Sequence, residues 1–433
     1  MDLAAGFLVL ACLGLALSAA TFFRVRLFGA LLVPTFFAGW LRGELALQTI
    51  AVELLVTLGF VAAGVGREPL GRVALVLCLV SWGLLVASHR RSLRAGPVFA
   101  EALAPLGIVP EADVAPTHGL LTAFAFGASA VRSVKNLEYG PVLPGDGGGR
   151  NRLDLHLPVE ARAGDRRPVL LQIHGGAWII GDKREQGRPL MNHLAARGWV
   201  CAAINYRLSP AATMPDPVVD VKRALVWLRR EIEGHGGDPD FICVTGGSAG
   251  GHLASLVALT PGDPRFQPGF EAADTRVAAC VPFYGVFDFL DRAGDRGSAA
   301  MADALGPLVF KCKPEENPAL WNAVSPITRV HPDAPPFLVI QGSHDSLVFA
   351  EEARSFVDTL RAVSRNPVVH VELPGAQHAF EVFHSPRSAH AVRAATAFLE
   401  WAHGRHRAEH GEAARSRDRV LDGIPGARQS APA

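Results

Sequence analysis

A serine flanked by glycines is the residue of this sequence best suited to do chemistry. Residues 246–250 read Gly-Gly-Ser-Ala-Gly around Ser248, with an apolar run at 241–245 before them and a helical pattern at 252–259 after them. A tight strand-to-helix turn exposes a serine hydroxyl as a nucleophile, and the glycines give that turn room. The dipole of the following helix favours negative charge at the serine. This context argues against the alternative, a glycine-rich turn without chemistry.

A nucleophilic serine needs a basic partner and a carboxylate that orients the base. In this kind of site the chain order is Ser, Asp, His. Asp345 follows the apolar run at 337–341, and His378 follows the run at 368–373. Side chains beyond the carboxyl ends of parallel strands meet at one edge of a sheet. We therefore predict that Ser248, Asp345 and His378 form a catalytic triad.

Other residues compete for the acid and base roles, because the chain has 16 histidines. Asp288 follows an apolar run and is a second candidate for the acid. His370 and His384 are alternative bases, and His344 is the direct neighbour of Asp345. These residues lie within or beyond the expected loops, so the order Ser, Asp, His is best satisfied by the first set.

The loop His-Gly-Gly-Ala-Trp at residues 174–178 ends another apolar run. A tetrahedral intermediate requires backbone N–H donors, and glycines allow a backbone to approach the reacting oxygen closely. We predict that Gly175, Gly176 and Ala249, the residue after the nucleophile, form the oxyanion hole. A histidine in such a loop is better explained as a brace for the turn than as the base, and we assign His174 that role.

The elements that hold these residues alternate between short apolar runs and helical patterns. This alternation is typical of an α/β domain with a mostly parallel sheet and helices on both faces. Helices are predicted at 217–233, 350–363 and 389–401 from apolar spacings of three and four residues. Strands are predicted at residues 153–157, 169–173, 200–205, 241–245, 278–283, 337–341 and 368–373.

The N-terminal region has the composition of a membrane anchor. Residues 3–23 carry no charge, and a helix needs about 20 apolar residues to cross a bilayer. Residues 45–66 and 73–88 are further candidate spans, and residues 27–41, with a proline in the middle, form either a span or a re-entrant piece. We therefore predict three or four spans. A cleaved signal peptide is the alternative for the first of them, although basic residues are absent at its start.

Glu53 is the one charged residue within residues 45–66. It is either a functional carboxylate or a residue near the membrane surface. The arginines near the span ends do not favour one orientation, so the side of the membrane that carries the catalytic domain stays open.

Composition divides the 433-residue chain into unlike parts. We predict a transmembrane region at 1–94, a linker at 95–133, a catalytic domain at 134–403 and a disordered tail at 404–433. A net charge of +1, with no basic patch before the tail, argues against nucleic acid as a partner. The six cysteines lack metal-site spacing, and buried free thiols are the simpler interpretation. No sequence feature indicates an oligomeric state.

From residue 135 to 403 the chain resembles the hormone-sensitive-lipase-like and feruloyl-esterase-like branch of the α/β-hydrolases, including membrane-bound carboxylesterases. Many lipase-like members carry aspartate before the nucleophile, whereas this chain has Gly247, which favours the feruloyl-esterase-like side. The resemblance is carried by the loop at 174–178, the run at 246–251, and the segments LDLHLP at 153–158, GDK at 181–183, NYRLSP at 205–210, YG at 284–285 and QH at 377–378.

The resemblance implies an α/β-hydrolase fold and a serine carboxylesterase that forms an acyl-enzyme without metal or organic cofactor. The expected partners are a small, lipophilic ester and the lipid bilayer. Residues 287–321 are long enough to form a cap over the substrate pocket. An amide or arylformamide hydrolase, and an inactive hydrolase-fold membrane scaffold, are the alternatives.

Overall fold

The computed structural model describes residues 2–23, 32–125, 127, 130–143, 149–294 and 300–422. The N-terminal helices are α1 Leu3–Ala20, α2 Leu32–Glu44, α3 Ala46–Ala62, α4 Pro69–Ser92 and α5 Ala95–Leu103. The later helices are α6 Arg188–Ala196, α7 Asp216–Glu231, α8 Ala249–Leu259, α9 Ala300–Leu305, α10 Pro318–Ala323, α11 Ala350–Arg361 and α12 Pro386–Asp422. The strands are β1 Val131–Glu138, β2 Arg152–Pro158, β3 Arg167–Ile173, β4 Val200–Ile204, β5 Gly237–Gly247, β6 Cys280–Phe283, β7 Phe337–Gly342 and β8 Val368–Leu373.

The strands form one eight-stranded sheet in the order β1-β2-β4-β3-β5-β6-β7-β8. β2 pairs antiparallel with β1 and β4, and the pairs from β4 through β8 are parallel. This is the α/β-hydrolase fold, so the predicted fold class is confirmed. All seven predicted strands are present. The sequence missed β1, an edge strand whose residues are exposed or half-buried and therefore do not form an apolar run.

Helices cover both faces of the sheet. On one face the apolar residues of α7, α8 and α11 belong to the same core as Val169, Leu171 and Ile173 of β3. On the other face α5, α6 and α12 pack over Leu170 and neighbouring residues. The alternation along β3 follows from side chains pointing to opposite faces of a strand. All six cysteines are free thiols, and four of them are buried.

Part of the predicted linker belongs to this core. Residues 95–103 form α5, whose Ala95, Phe99 and Leu103 are buried against α12 and β8. These residues recur every four positions, so they share one helix face. The connection between the apolar N-terminal region and the catalytic domain is thus a helix packed into the domain, and the prediction of a linker is wrong for these residues.

The predicted disordered tail also begins too early. α12 continues to Asp422, so residues 404–422 are helical, whereas residues 423–433 lie outside the described part of the chain. Arg405 places its guanidinium 5.2 Å from the ring centre of Trp401 and pairs with Glu409 at 3.4 Å. Arginine, glutamate and alanine are good helix formers, so this stretch does not need an apolar face to continue the helix.

Small residues line the contact between α1 and α4. The buried residues of α1 are Ala4, Phe7, Ala11, Gly14 and Ser18, and those of α4 are Gly71, Ala74, Cys78, Ser81, Leu85, Ser88 and Ser92. Their spacing of three and four residues gives each helix one packing face, and small residues let the backbones approach as in membrane helix pairs. A hydrogen bond of 2.9 Å joins the hydroxyls of Ser18 and Ser81 across this contact.

Among the described residues, two helices are long and apolar enough to cross a membrane, Leu3–Ala20 and the continuous Pro69–Leu106. The C-terminal part of the second one is α5, which packs in the catalytic domain. The pair Val33–Glu44 and Ala46–Ala62 bends by 95° and counts at most as one further span. The described residues therefore provide two or three candidate spans, against the three or four predicted. Residues 24–31 are not described, and they include the start of the predicted span or re-entrant piece at 27–41.

Glu53 has polar partners from neighbouring helices. Its carboxylate accepts a hydrogen bond from Arg42 of α2 at 2.7 Å and one from the indole N–H of Trp82 of α4 at 3.0 Å. Arg42 also donates to the carbonyl of Gly14 and to the hydroxyl of Ser18 of α1. A carboxylate in an apolar region requires such pairing, and here the pairing ties α2 to the other apolar helices.

A buried ion pair fixes the segment after β4. The side chain of Asp220 on α7 is fully buried and accepts hydrogen bonds of 2.8 Å from Nε and Nη2 of Arg207. It also accepts the backbone N–H of Arg207 at 3.0 Å. Asp216 pairs with the same guanidinium at 3.2 Å, but its side chain is 39% exposed. The two carboxylates therefore differ mainly in their access to water.

We expect Asp220→Asn to lower the free energy of unfolding by about 3–5 kcal/mol, because it leaves the Arg207 charge buried without its main partner. Asp216→Asn should lower it by less than about 1 kcal/mol, since an exposed pair contributes little. Denaturant unfolding of the detergent-solubilised chain measures both values. Equal losses in the two variants would contradict the assignment of the stabilisation to burial.

Candidate active site

Ser248 lies on a sharp turn between β5 and α8. Its φ of 57° and ψ of −121° place a non-glycine residue in a strained backbone conformation. The turn is held by hydrogen bonds from the Ser248 N–H to the carbonyl of Phe283 at 3.0 Å and from the His252 N–H to the carbonyl of Ser248 at 2.9 Å. A Cβ at Gly250 would lie 2.1 Å from the carbonyl oxygen of Ile173, so the turn requires glycine there.

Tyr284, directly after β6, joins the serine turn to the predicted base. Its ring centre lies 4.4 Å from that of His378. A Cβ at Gly247 would lie 2.5 Å from its hydroxyl oxygen. The close approach of Tyr284 thus explains why glycine precedes the nucleophile in this chain. The Tyr284 hydroxyl donates to the buried carboxyl group of Glu381, and burial raises the pKa of Glu381 and that of Tyr284.

Asp345 and His378 are joined directly. Nδ1 of His378 lies 2.7 Å from Oδ2 of Asp345, whose side chain is fully buried. The other carboxylate oxygen accepts the backbone N–H groups of Leu347 at 2.9 Å and Val348 at 2.8 Å. Because an ionised carboxylate only accepts hydrogen bonds, Nδ1 of His378 carries the proton and Nε2 is left as the acceptor.

Two glutamines, for which the sequence suggested no role, hold the acid and base loops. The Gln341 side chain donates to Asp345 at 3.1 Å and to the carbonyl of Val348 at 2.8 Å. The side-chain oxygen of Gln377 accepts the backbone N–H groups of Ser346 at 2.7 Å and His378 at 2.9 Å. Their sequence signals are position, since Gln341 is the penultimate residue of β7 and Gln377 precedes the predicted base, and the QH pair at 377–378 in the resemblance.

The oxyanion prediction needs a correction at Gly175. The N–H of Gly175 donates to the side-chain oxygen of Gln186 at 2.7 Å and is thus already engaged. A Cβ at Gly175 would lie 2.7 Å from the carbonyl oxygen of Gly247, so this glycine provides space beside the nucleophile turn. Gly176 and Ala249, the first residue of α8, stay as the proposed donors.

His174 contacts its own loop. Its Nδ1 lies 2.7 Å from the carbonyl of Gly175, and its ring stacks on Tyr206 at 4.3 Å. Burial lowers the pKa of His174 to about 4. The same loop is braced by Trp178, whose indole N–H donates to Nδ1 of His252 at 3.2 Å. Nε2 of His252 then donates to the carbonyl of Val324 at 2.8 Å, and burial lowers the pKa of His252 to about 4.

The alternative candidates for the acid and the base contact other groups. Asp288 accepts the backbone N–H of Arg292 at 2.7 Å and also pairs with its guanidinium. Nδ1 of His344 lies 3.2 Å from the carbonyl of Thr21, just after α1. His370 lies within β8, opposite Val339 of β7. The ring centre of His384 lies 6.3 Å from that of His118.

The segment 287–321, predicted to form a cap, lies beside the loop of Trp178. Phe289 packs 5.3 Å from Trp178 and 5.1 Å from Phe310, measured between ring centres. A cavity of about 570 Å³ lies within the segment, between Phe289 and Glu316. Residues 295–299 are not described. In the described part of the chain, no group of three or more His, Cys, Asp or Glu side chains could hold a metal ion.

We expect Asp345→Asn to lower kcat by roughly 10³- to 10⁴-fold, because an asparagine amide no longer selects the required His378 tautomer. Asp288→Asn should leave kcat within about threefold, since Asp288 faces Arg292. Ester hydrolysis assays of protein samples with matched folded fractions measure both effects. A loss confined to Asp288→Asn would reassign the acid.

The low pKa values of His174 and His252 make stability depend on pH. Below pH ~6.5 the unfolded chain takes up protons that the folded chain takes up only near pH 4, so stability falls as pH drops through this window. At pH 5 we expect a loss on the order of 1–2 kcal/mol from His252. His252→Gln should show a flatter dependence between pH 7 and 5 in thermal unfolding, and the less buried His235→Gln should resemble the wild type.

Residues 153–360 match the BD-FAE family. Residues of this chain are 53% identical over 260 positions to the "Probable carboxylic ester hydrolase LipM" of Mycobacterium tuberculosis, covering 60% of each chain. They are 31% identical over 227 positions to the "Isoprenylcysteine alpha-carbonyl methylesterase ICME" of Arabidopsis thaliana, covering 49% of this chain and 50% of the relative.

A solved structure of esterase B from Lactobacillus rhamnosis has a similar fold. It superposes with a TM-score of 0.53 at 25% identity, covering 65% of this chain and 89% of that one. The resemblance stated from the sequence motifs is thus confirmed for the hydrolase domain. The chain spans about 60% of the length of LipM and half that of the plant methylesterase.

Proposed function

We propose that this chain, whose residues 153–360 match the BD-FAE family, is a membrane-anchored serine carboxylesterase. The observation that carries the proposal is the buried hydrogen bond of 2.7 Å between Nδ1 of His378 and Oδ2 of Asp345. The ring of His378 lies against Tyr284, and the Tyr284 hydroxyl approaches Gly247, the neighbour of the strained Ser248. The named activity of LipM, a carboxylic ester hydrolase, agrees with it.

The proposed chemistry is acyl transfer in two steps. Nε2 of His378 removes the proton of the Ser248 hydroxyl while its oxygen attacks the ester carbonyl, and Asp345 stabilises the imidazolium that results. The N–H groups of Gly176 and Ala249 donate to the developing oxyanion. The imidazolium then protonates the leaving alcohol. Water, activated by His378, attacks the acyl-enzyme and releases the acid, which regenerates the serine.

The substrate is proposed to be a lipophilic ester dissolved in the bilayer. α2 has an exposed apolar stripe at Val33 (56%), Phe37 (44%) and Leu41 (40%), spaced at one helix turn. The adjacent face of α2 contacts His378 through Phe36. The name of the plant relative, an isoprenylcysteine alpha-carbonyl methylesterase, agrees with an ester that bears a lipid group. We further propose that α1 and the α4 helix span the membrane, with the bent α2–α3 pair as a third span or a re-entrant piece.

Hydrolysis of p-nitrophenyl esters from acetate to palmitate by the detergent-solubilised chain tests this function. Ser248→Ala should lower kcat by at least about 10³-fold, because the acyl-enzyme can no longer form. Ser255→Ala is the matched control, since Ser255 lies on α8 and its hydroxyl donates to the carbonyl of Gly251. Turnover should rise from acetate toward longer chains if the lipophilic substrate class is correct.

The alternatives give different outcomes in the same experiment. Labelling of Ser248 by a fluorophosphonate without ester turnover would favour an amide or arylformamide hydrolase. Neither labelling nor turnover would favour an inactive membrane scaffold. Turnover that is highest with acetate would contradict the lipophilic substrate while leaving the esterase activity in place.

A further inference from the structure

Helix α2 contacts the loop that carries the proposed base. Three residues at one-turn spacing, Phe36, Trp40 and Glu44, face the catalytic domain. The ring centre of Phe36 lies 6.1 Å from that of His378 in an edge-on arrangement. The ring of Trp40 stacks on Phe383 at 4.7 Å. A helix from the apolar N-terminal region thus packs against His378 and the segment that follows it.

The contact of Trp40 reaches the backbone next to the base. Its indole N–H donates to the carbonyl of Ala379 at 2.7 Å. Ala379 has a φ of 59°, a left-handed conformation that an alanine adopts only when its surroundings hold it there. Because Ala379 directly follows His378, its carbonyl orientation constrains the direction of the imidazole. The Trp40 hydrogen bond therefore acts on the base through one peptide unit.

A second contact holds the far end of the same segment. The carboxylate of Glu44 pairs with the buried Arg387 at the start of α12 and accepts the hydroxyl of Ser385 at 2.7 Å. α2 therefore contacts both ends of the stretch from 378 to 387. The carbonyl of Thr21, after α1, also lies 3.2 Å from Nδ1 of His344, the neighbour of Asp345.

The opposite side of α2 is tied to the membrane-type helices. Arg42 pairs with Glu53 of α3 at 2.7 Å and donates to the hydroxyl of Ser18 of α1 at 2.7 Å. α2 has the base loop on one side and this ion pair on the other, within three turns of helix. α2 thus lies between the apolar helices and the segment at 378–387.

We propose that Trp40 is a positioning residue for His378, so that the N-terminal helical region completes the active site in addition to anchoring it. This proposal rests on the proposed function of His378 as base. Trp40 acts by fixing the peptide between Ala379 and Phe380, one residue beyond the base. The hydrolase domain then depends on α2 for full activity.

The test is Trp40→Phe in the full-length, detergent-solubilised chain. This change removes the indole N–H and keeps an aromatic ring against Phe383. Trp82→Phe is the matched control, because the Trp82 indole donates at 3.0 Å to Glu53, whose contacts do not include the base loop. We expect Trp40→Phe to lower kcat roughly 10- to 100-fold with KM within about threefold, since a small misplacement of a reacting group costs this much.

A second measurement separates positioning from loss of fold. The rate at which a fluorophosphonate labels Ser248 reports activation of the nucleophile and needs no natural substrate. We expect Trp40→Phe to slow labelling as much as it lowers kcat, at an unfolding temperature equal to that of Trp82→Phe. If Trp40→Phe is less stable, Trp40→His, which keeps a ring N–H donor at this position, provides the comparison: faster labelling than in Trp40→Phe at equal stability supports the role of the hydrogen bond, and equal labelling overturns it.

The outcomes are distinguishable from failure of the proposed function. Equal labelling rates in the wild type, Trp40→Phe and Trp82→Phe would overturn the positioning role even if the wild type hydrolyses esters. A fall in kcat that is the same in both tryptophan variants would assign the effect to the membrane region in general and would also overturn it. Absence of ester turnover with slowed labelling in Trp40→Phe would support positioning while contradicting the esterase activity.

Discussion

The buried carboxylate of Asp345 is the constraint on which the arrangement of the site depends. It is fully buried and accepts hydrogen bonds from two backbone N–H groups, Gln341 and His378. A buried charge is tolerated only when its oxygens are satisfied, so the loop after β7 must fold around it. The position of this loop then fixes the tautomer of His378. Gln377 extends the constraint by accepting N–H groups from both loops.

Motifs shared with related hydrolases have structural roles around this centre. The buried amino group of Lys183 pairs with Asp154 at 2.9 Å, and its backbone N–H donates to the side chain of Asn205 at 2.6 Å. Residues from three separate motifs thus form one polar network behind the His174 loop. A buried network of this type stabilises only when each member is satisfied, which explains why the motifs occur together in this chain.

The apolar N-terminal region is more closely joined to the hydrolase domain than its composition indicates. α5 lies in the core, α2 contacts the segment after His378, and Arg91 of α4 lies against the loop before His378. A Cβ at Gly375, three residues before His378, would lie 2.5 Å from Cδ of Arg91. The contacts concentrate on the loops of Asp345 and His378, where packing can affect the proposed chemistry directly.

The sequence by itself determined the fold class, seven strands and the candidates Ser248, Asp345 and His378. These features depend on local patterns: apolar runs, glycines at a tight turn and chain order beyond strand ends. Only the tertiary structure decided that Gly175 already donates to Gln186, that residues 95–103 are core, and that Trp40 lies against Ala379. Trp40 and Ala379 are 339 positions apart, and no local pattern encodes which distant side chain a buried polar group will meet.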